Sequence, residues 1–161
     1  MPMTDPVGST LRPTRVVLRR TDLVCDNGHP YRSEEITEPW HFRAVTNLDG
    51  FATAFVDLND EPLKRSITDA IHPRHDQMQY PRRLRGYEAA MDRAPDRAYL
   101  AHGRCPVCGI FGLRSMRRAE TGIERTLPAA TFTAWAAMSD VERRGRVESY
   151  VAGFADDPDL R

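Results

Sequence analysis

The chain has 161 residues, of which 40% are hydrophobic and 29% are charged. This balance is that of an ordinary globular protein and excludes both wholesale disorder and a fibrous repeat. No apolar run approaches the roughly 18 residues of a membrane span, and Met1–Asp5 lacks the basic and apolar blocks of a signal peptide. We therefore expect a compact cytoplasmic protein with no membrane partner.

The 23 basic and 23 acidic side chains cancel, but they are unevenly distributed. Residues 21–63 carry nine acidic and two basic side chains, whereas residues 64–125 carry seven acidic and thirteen basic ones. All but one of the basic residues are arginine, which binds phosphate in a bidentate way. The basic stretch is therefore either a phosphate-binding surface or the neutralising neighbour of the acidic stretch.

Strands dominate the first elements of the chain. Residues 1–13, with three prolines and a glycine, predict a flexible arm. A strand is expected from Thr14 to Arg20, continuing towards Cys25. The aromatic and β-branched stretches 40–46 and 51–58 enclose the turn sequence Asn-Leu-Asp-Gly, so they predict a β-hairpin.

The middle of the chain mixes helices with short strands. Residues 59–62 predict the start of a helix, which should end at His72-Pro73 because a residue that precedes proline avoids the helical region. We expect a loop over 72–83 and a short helix over 84–93, with Leu84, Tyr87 and Met91 facing inward. Strands are expected at 99–101 and 111–116.

The last quarter of the chain predicts helices. Residues 131–138, with Phe132 and Trp135, indicate a short helix. Ser139 and Glu142 form a capping-box pattern at the start of a longer one. Val147, Val151 and Phe154 then recur at helical spacing, as expected for a face that packs on a core.

The sequence CPVCG from Cys105 to Gly109 carries the first chemical signal. Two thiols two residues apart around a turn can bind one metal ion, usually zinc. A redox-active pair has the same spacing but requires a helix that begins at the motif. Here the sequence Gly-Ile-Phe-Gly-Leu follows, which predicts a turn leading into a strand, so the metal interpretation is favoured.

A second half-site lies in the sequence CDNGH, from Cys25 to His29. It offers a thiol and an imidazole across Asn-Gly, a dipeptide suited to a left-handed turn. With Cys105 and Cys108 it makes a Cys3His set that uses all three cysteines, as expected for a closed structural zinc site. Two alternatives remain: His102 replaces His29 as the fourth ligand, or Cys25 is simply a small core residue.

These two motifs resemble zinc-ribbon and zinc-knuckle modules, which pair C-x-x-G-H with a later C-P-x-C. In such modules two knuckles on β-hairpins hold one zinc ion, and many of the proteins that contain them are associated with nucleic acids. The match covers 23–32 and 102–113; residues 30–104 separate the knuckles, where a compact ribbon has far fewer. The resemblance implies that Cys25, His29, Cys105 and Cys108 are the ligands.

The expected fold is α+β, with antiparallel strands, a Cys3His zinc site that joins the two knuckles, a helical insertion and a helical C-terminus. Residues 14–128 should form the zinc-stabilised domain. Residues 129–161 should form a helical segment that packs on the same domain.

The leading functional hypothesis is binding of nucleic acid, or of a protein that handles it. Arginine beside aromatic residues suits phosphate contact and base stacking. The candidate residues are Arg74, Tyr80, Arg82, Arg83, Arg85, Tyr87, Arg114, Arg117 and Arg118.

Two other classes of function compete with this hypothesis. A protein adapter would dock through the C-terminal helical region 135–154 and would expose an apolar stripe there. A metal-dependent enzyme would use His72 and His75. The sequence has no nucleophile elbow, Walker loop, dinucleotide fingerprint or H-E-x-x-H motif, so an enzyme is less favoured than a binding protein.

Overall fold

The computed structural model describes residues 12–71, 80–92, 99–100, 105–110 and 112–153. Most of the predicted arm, residues 1–11, lies outside them. By their contacts the described residues divide into a sheet unit, within 10–59 and 93–130, and a helical unit, within 60–92 and 131–161. The chain is thus α+β, as predicted, and residues 60–92 group with the C-terminal residues in the helical unit.

The sheet unit is built from antiparallel strands in two sheets. The first sheet has the order β2-β1-β6, with β7 also paired to β1, and the second has the order β4-β3-β5. The strands are β1 (Thr14–Cys25), β2 (Pro30–Glu38), β3 (Phe42–Thr46), β4 (Ala52–Asp57), β5 (Tyr99–Leu100), β6 (Leu113–Arg118) and β7 (Ile123–Leu127). The predicted β3–β4 hairpin is confirmed, whereas β2 and β7 have no counterpart in the sequence-based assignment.

Strand β1 organises the first sheet because both of its edges are paired. One edge pairs with β2. Along the other edge, residues 14–18 pair with β7 and residues 21–25 pair with β6. Cys25, the last residue of β1, therefore lies opposite Leu113, the first residue of β6. This register brings the turn before β6 to the end of the sheet where β1 turns into β2.

The core of the sheet unit contains side chains of both sheets. Val16, Leu18, Ile36 and Phe55 are buried in one cluster. Phe42 packs partly buried against it, with its ring stacked on that of Phe55 at 4.3 Å.

The described residues of the helical unit form four helices. They are α1 (Glu61–Ile71), α2 (Tyr80–Ala90), α3 (Thr133–Ala137) and α4 (Asp140–Ala152). The Asp60 carboxylate accepts a hydrogen bond from the Leu63 amide at the start of α1. Ser139 and Glu142 form the predicted capping box of α4. None of the helices in the described residues is long and apolar enough to cross a membrane.

Helix α2 begins earlier than the sequence predicts. Its first residue is Tyr80, inside the expected loop 72–83, and Pro81 follows in the first turn. Proline is tolerated there because amides of the first turn have no partner within the helix. The rest of that loop, residues 72–79, lies outside the described residues.

The helical unit packs around Trp135, which is fully buried. The indole Nε1 donates a hydrogen bond to the Ser66 hydroxyl of α1 at 2.9 Å. Gly86 of α2 lies so close to α1 that a Cβ atom there would stand 2.6 Å from side-chain atoms of Ile67 and Ile71. The C-terminal helices therefore complete a core that residues 60–92 begin.

Candidate metal centre

The first half of the site is the turn between β1 and β2. Cys25 ends β1, and its sulfur accepts a hydrogen bond from the His29 amide at 3.4 Å. The turn is closed by a bond from the Gly28 amide to the Cys25 carbonyl, and Gly28 has a φ of +83°. Glycine is suited to that conformation, as the Asn-Gly sequence predicts.

The second half is the turn from Cys105 to Ile110. The Cys105 amide donates to the Ile110 carbonyl and the Gly109 amide to the Cys105 carbonyl, with Gly109 at a φ of +75°. No helix begins in this part of the described chain. The structure therefore lacks the helix that a thioredoxin-like redox pair requires at the motif.

Pairing of β1 with β6 fixes the two turns side by side. The Asp26 amide donates to the Gly112 carbonyl at 3.0 Å, and the Arg114 guanidinium donates to the Asp26 carbonyl at 2.9 Å. A Cβ atom at Gly112 would overlap the Asp26 carboxylate, so glycine permits this close approach.

Four ligand atoms meet between the turns. One atom each from Cys25, His29, Cys105 and Cys108 lies within 4.8 Å of the others. The Cys25 sulfur is 3.5 Å from His29 Nδ1 and 3.7 Å from the Cys108 sulfur. The predicted Cys3His group is thus assembled from residues separated by up to 83 positions. It can hold a metal ion.

The three thiols differ in environment. Cys25 and Cys105 are buried, whereas Cys108 is exposed. Burial raises the pKa of the Cys105 thiol. At Cys108 the Ile110 amide, which donates to the sulfur, lowers the pKa to about 6. At neutral pH the Cys108 sulfur is therefore already a thiolate, which is the form of cysteine that binds metals.

Comparison of the chain with protein-family models, with curated proteins and with solved structures found no match. No family match therefore supports the predicted resemblance to zinc ribbons and zinc knuckles, and the structure shows a Cys3His group that could bind a metal ion.

Several predicted site residues lie outside the described part of the chain. They are His102, the alternative ligand, the loop histidines His72 and His75, and Arg74. The side chains of Tyr80 and Arg82, at the start of α2, also lie outside it.

Two residues predicted to contact nucleic acid are buried in the helical unit, which corrects that part of the prediction. Tyr87 is 0% exposed and Arg85 is 4% exposed. Arg85 donates to the Glu88 carboxylate at 2.7 Å, and Tyr150 donates to the same oxygen at 2.7 Å. The Tyr87 ring is fully buried and the Arg85 guanidinium is buried and paired with Glu88, so neither can reach a base or a phosphate. Arg83, in the same helix, is half-buried.

The other predicted arginines lie on β6, where all six residues are exposed. Arg114 contacts the Asp26 carbonyl, and Arg118 lies 3.7 Å from the half-exposed carboxylate of Glu35. The Arg117 side chain has no hydrogen-bond or ion-pair partner among the described residues.

The apolar face of the C-terminal helices is core. Trp135 and Val147 are buried, and Val151 is half-buried. Phe154 lies outside the described residues. The exposed stripe that the adapter hypothesis requires is therefore missing from the described part of these helices, where Val141 is the exposed large apolar side chain.

Sequence reasoning missed the exposed apolar side chains near the metal centre. Val107 in the second turn is 66% exposed and Met116 on β6 is 65% exposed. Neither has a sequence signal of its own, because exposure depends on which strands and loops cover a residue.

Proposed function

We propose that the Cys3His group is a structural zinc site. With zinc–sulfur bonds of about 2.3 Å and a zinc–nitrogen bond of about 2.0–2.1 Å, a tetrahedron places two sulfurs about 3.8 Å apart and sulfur and nitrogen about 3.6 Å apart. The Cys25 distances of 3.7 Å to the Cys108 sulfur and 3.5 Å to His29 Nδ1 support this assignment.

The donor set supports a structural rather than a catalytic role. Three thiolates and one imidazole complete a tetrahedron and leave no position for a substrate. A bound zinc ion would supply four bonds that join the β1–β2 turn to the turn before β6. The strand pairing of Cys25 with Leu113 supports a site in which the ion would stabilise two turns that are already adjacent.

Metal analysis of the purified chain tests this assignment. We expect about one zinc per chain, and none after Cys25→Ser, because a structural site loses most of its affinity with one ligand. His29→Ala should also lose zinc. The matched control is His41→Ala, since this histidine lies outside the Cys3His group and faces Asp57 at 3.9 Å. Zinc retention by His29→Ala would contradict the ligand set.

We further propose that the zinc-stabilised sheet unit binds nucleic acid through the exposed arginines of β6. The single observation that supports this function is that all six residues of β6 are exposed, including Arg114, Arg117 and Arg118. Guanidinium groups bind phosphate in a bidentate way. The proposed site is therefore this strand alone, without the buried Arg85 and Tyr87.

The position of β6 favours a single strand lying along the sheet edge. Arg117 is opposite Asp22 and Arg118 is opposite Thr21, so the two side chains leave the strand on opposite faces. A flexible phosphate chain at the edge of the sheet can reach both faces, whereas a rigid duplex resting on one face contacts only one of them. We therefore expect tighter binding to single strands than to duplexes.

A salt titration with charge-reversal variants tests this function. Binding of a single-stranded oligonucleotide should weaken with salt, with a slope of about −0.7 per phosphate neutralised. The double variant Arg117→Glu/Arg118→Glu should reduce the slope by the equivalent of two contacts and weaken binding to all base sequences alike.

The control for this titration is a double variant that alters the net charge by the same amount at another place in the sheet unit. Arg12 and Arg15 are both exposed, and Arg12→Glu/Arg15→Glu should leave the slope nearly unchanged. Equal losses in the two double variants would indicate a net-charge effect rather than a site on β6. Absence of binding at low salt by zinc-loaded protein would refute the function.

A further inference from the structure

The three cysteines of the metal centre are unequally accessible. Cys25 is 0% exposed and Cys105 is 1% exposed, whereas Cys108 is open to solvent in the turn before β6. A dissolved oxidant therefore reaches the Cys108 sulfur first. Which cysteine is oxidised depends on its accessibility to the oxidant and on how readily it forms the thiolate.

A second sulfur, that of Cys25, lies close enough to react with an oxidised Cys108. The Cys25 sulfur lies 3.7 Å away, so a movement of about 1.7 Å would bring the pair to a disulfide bond length of about 2.05 Å. Cys25 lies at the end of a paired strand, whereas Cys108 lies in an exposed turn, so we expect Cys108 to make most of this movement.

We propose that Cys108 is a peroxide-oxidation site and that Cys25 resolves it by forming a disulfide, which releases the metal. This inference rests on the proposed zinc assignment and adds a mode of regulation to the same site. The reacting ligand class is a hydroperoxide, either hydrogen peroxide or an organic hydroperoxide.

The reaction balances in two steps. The Cys108 thiolate attacks one peroxide oxygen; a sulfur–oxygen bond forms, the oxygen–oxygen bond breaks, and the leaving oxygen takes a proton from water. The Cys25 thiolate then attacks the Cys108 sulfur; a sulfur–sulfur bond forms and hydroxide leaves, which also takes a proton. Two thiolates have lost two electrons, and the peroxide bond has gained them.

The disulfide removes two of the four donors from the Cys3His group. Neutral disulfide sulfurs are poor ligands, since the thiolate is the form that binds a metal. The remaining Cys105 thiolate and His29 imidazole make an incomplete set. Oxidation should therefore release the ion while a covalent bond keeps the two turns together.

Trypsin digestion after peroxide treatment distinguishes the possible disulfides. Cleavage after arginine places Cys25 in peptide 21–32, and both Cys105 and Cys108 in peptide 105–114. We expect peptides 21–32 and 105–114 to be crosslinked, with fragmentation locating the bond at Cys108. A disulfide within peptide 105–114, or a bond to Cys105, would overturn the proposal.

Zinc release measured with a colorimetric chelator provides the second readout. Metal content before oxidation tests the zinc assignment by itself. Zinc-loaded protein should then release about one zinc per disulfide formed, and a thiol reductant should restore binding. Retention of zinc at peroxide concentrations that oxidise free cysteine would overturn the proposal and leave the zinc assignment intact.

A histidine variant separates oxidation from loss of the site. Cys108→His keeps four zinc ligands as a Cys2His2 set, which is a common structural site, but removes the exposed thiol. If this variant binds zinc, it should release the metal at least tenfold more slowly with peroxide. If it does not bind zinc, the crosslink pattern of the unaltered chain still decides the question. Equal release rates in the two proteins would contradict a role for Cys108.

Discussion

Arg125 of β7 should be one of the most costly side chains of the sheet unit to remove. Its guanidinium holds the Glu34 carboxylate in a bidentate ion pair, with distances of 2.9 and 3.0 Å. The same carboxylate accepts a hydrogen bond from the Ala52 amide at 2.8 Å. This network connects β2, β4 and β7. We therefore consider Arg125→Met, which keeps an apolar stem of similar length and removes the charge.

The expected loss follows from the burial of the two partners. The Glu34 side chain is 6% exposed and that of Arg125 is 35% exposed. Removal of one partner from a fully buried pair costs about 3–5 kcal/mol, because the other charge is left without compensation. Here water can enter from the Arg125 side and the Ala52 hydrogen bond remains, so we expect a loss of about 2–3 kcal/mol.

Urea unfolding of the metal-loaded protein, followed by circular dichroism, measures this loss. With a slope of about 2 kcal/mol per molar urea, the midpoint should fall by about 1 M or more. Hydrogen exchange should accelerate in the strands that Glu34 connects. The control is Arg15→Met, since Arg15 and its partner Glu124 are 76% and 66% exposed and form a pair worth less than about 1 kcal/mol.

The double variant Glu34→Gln/Arg125→Met isolates the cause. A neutral amide at position 34 can still accept the Ala52 hydrogen bond and carries no buried charge, so the double variant should be more stable than Arg125→Met alone. A loss at Arg125 no larger than that at Arg15 would refute the reasoning. So would a double variant that is less stable than the single one.

Three further predictions concern the turns, caps and tryptophans. Gly50→Ala should destabilise the sheet unit by at least about 2 kcal/mol, because Gly50 has a φ of +84° and a Cβ atom would overlap the Arg32 carbonyl; an unchanged unfolding midpoint in urea would contradict this. Ser139→Ala should cost about 1 kcal/mol by removing the cap of α4, whereas Ser139→Asp should preserve most of it, and equal stability of the two variants would count against the cap. The two tryptophans should give separate fluorescence signals, since Trp40 is 80% exposed and Trp135 is fully buried. Trp40→Phe should remove the emission that acrylamide quenches, and strong quenching that persists in this variant would contradict the burial of Trp135.

Short-range chemistry allowed the sequence to predict several parts of this protein. In the turn before Phe51, the Gly50 amide donates a hydrogen bond to the Asn47 carbonyl, and Gly50 has a positive φ. Both features involve residues of the turn itself. The capping box of α4 likewise needs only Ser139 and Glu142. Each turn that presents the Cys3His group is also local, because Gly28 or Gly109 permits the backbone to fold around a cysteine.

Long-range pairing decided what the sequence did not predict. Strand β2 has the weak pattern PYRSEEITE, and its buried Glu34 is stabilised by the Ala52 amide and by Arg125, which reaches it from β7, 91 residues away. The register of β1 with β6 turns two separate cysteine motifs into one group of ligand atoms. Long-range packing also buries Tyr87 and Arg85. Their local sequence, with arginines beside aromatic residues, is nevertheless typical of a surface that binds nucleic acid. Burial and pairing depend on residues far away in the chain, and no local pattern carries that information.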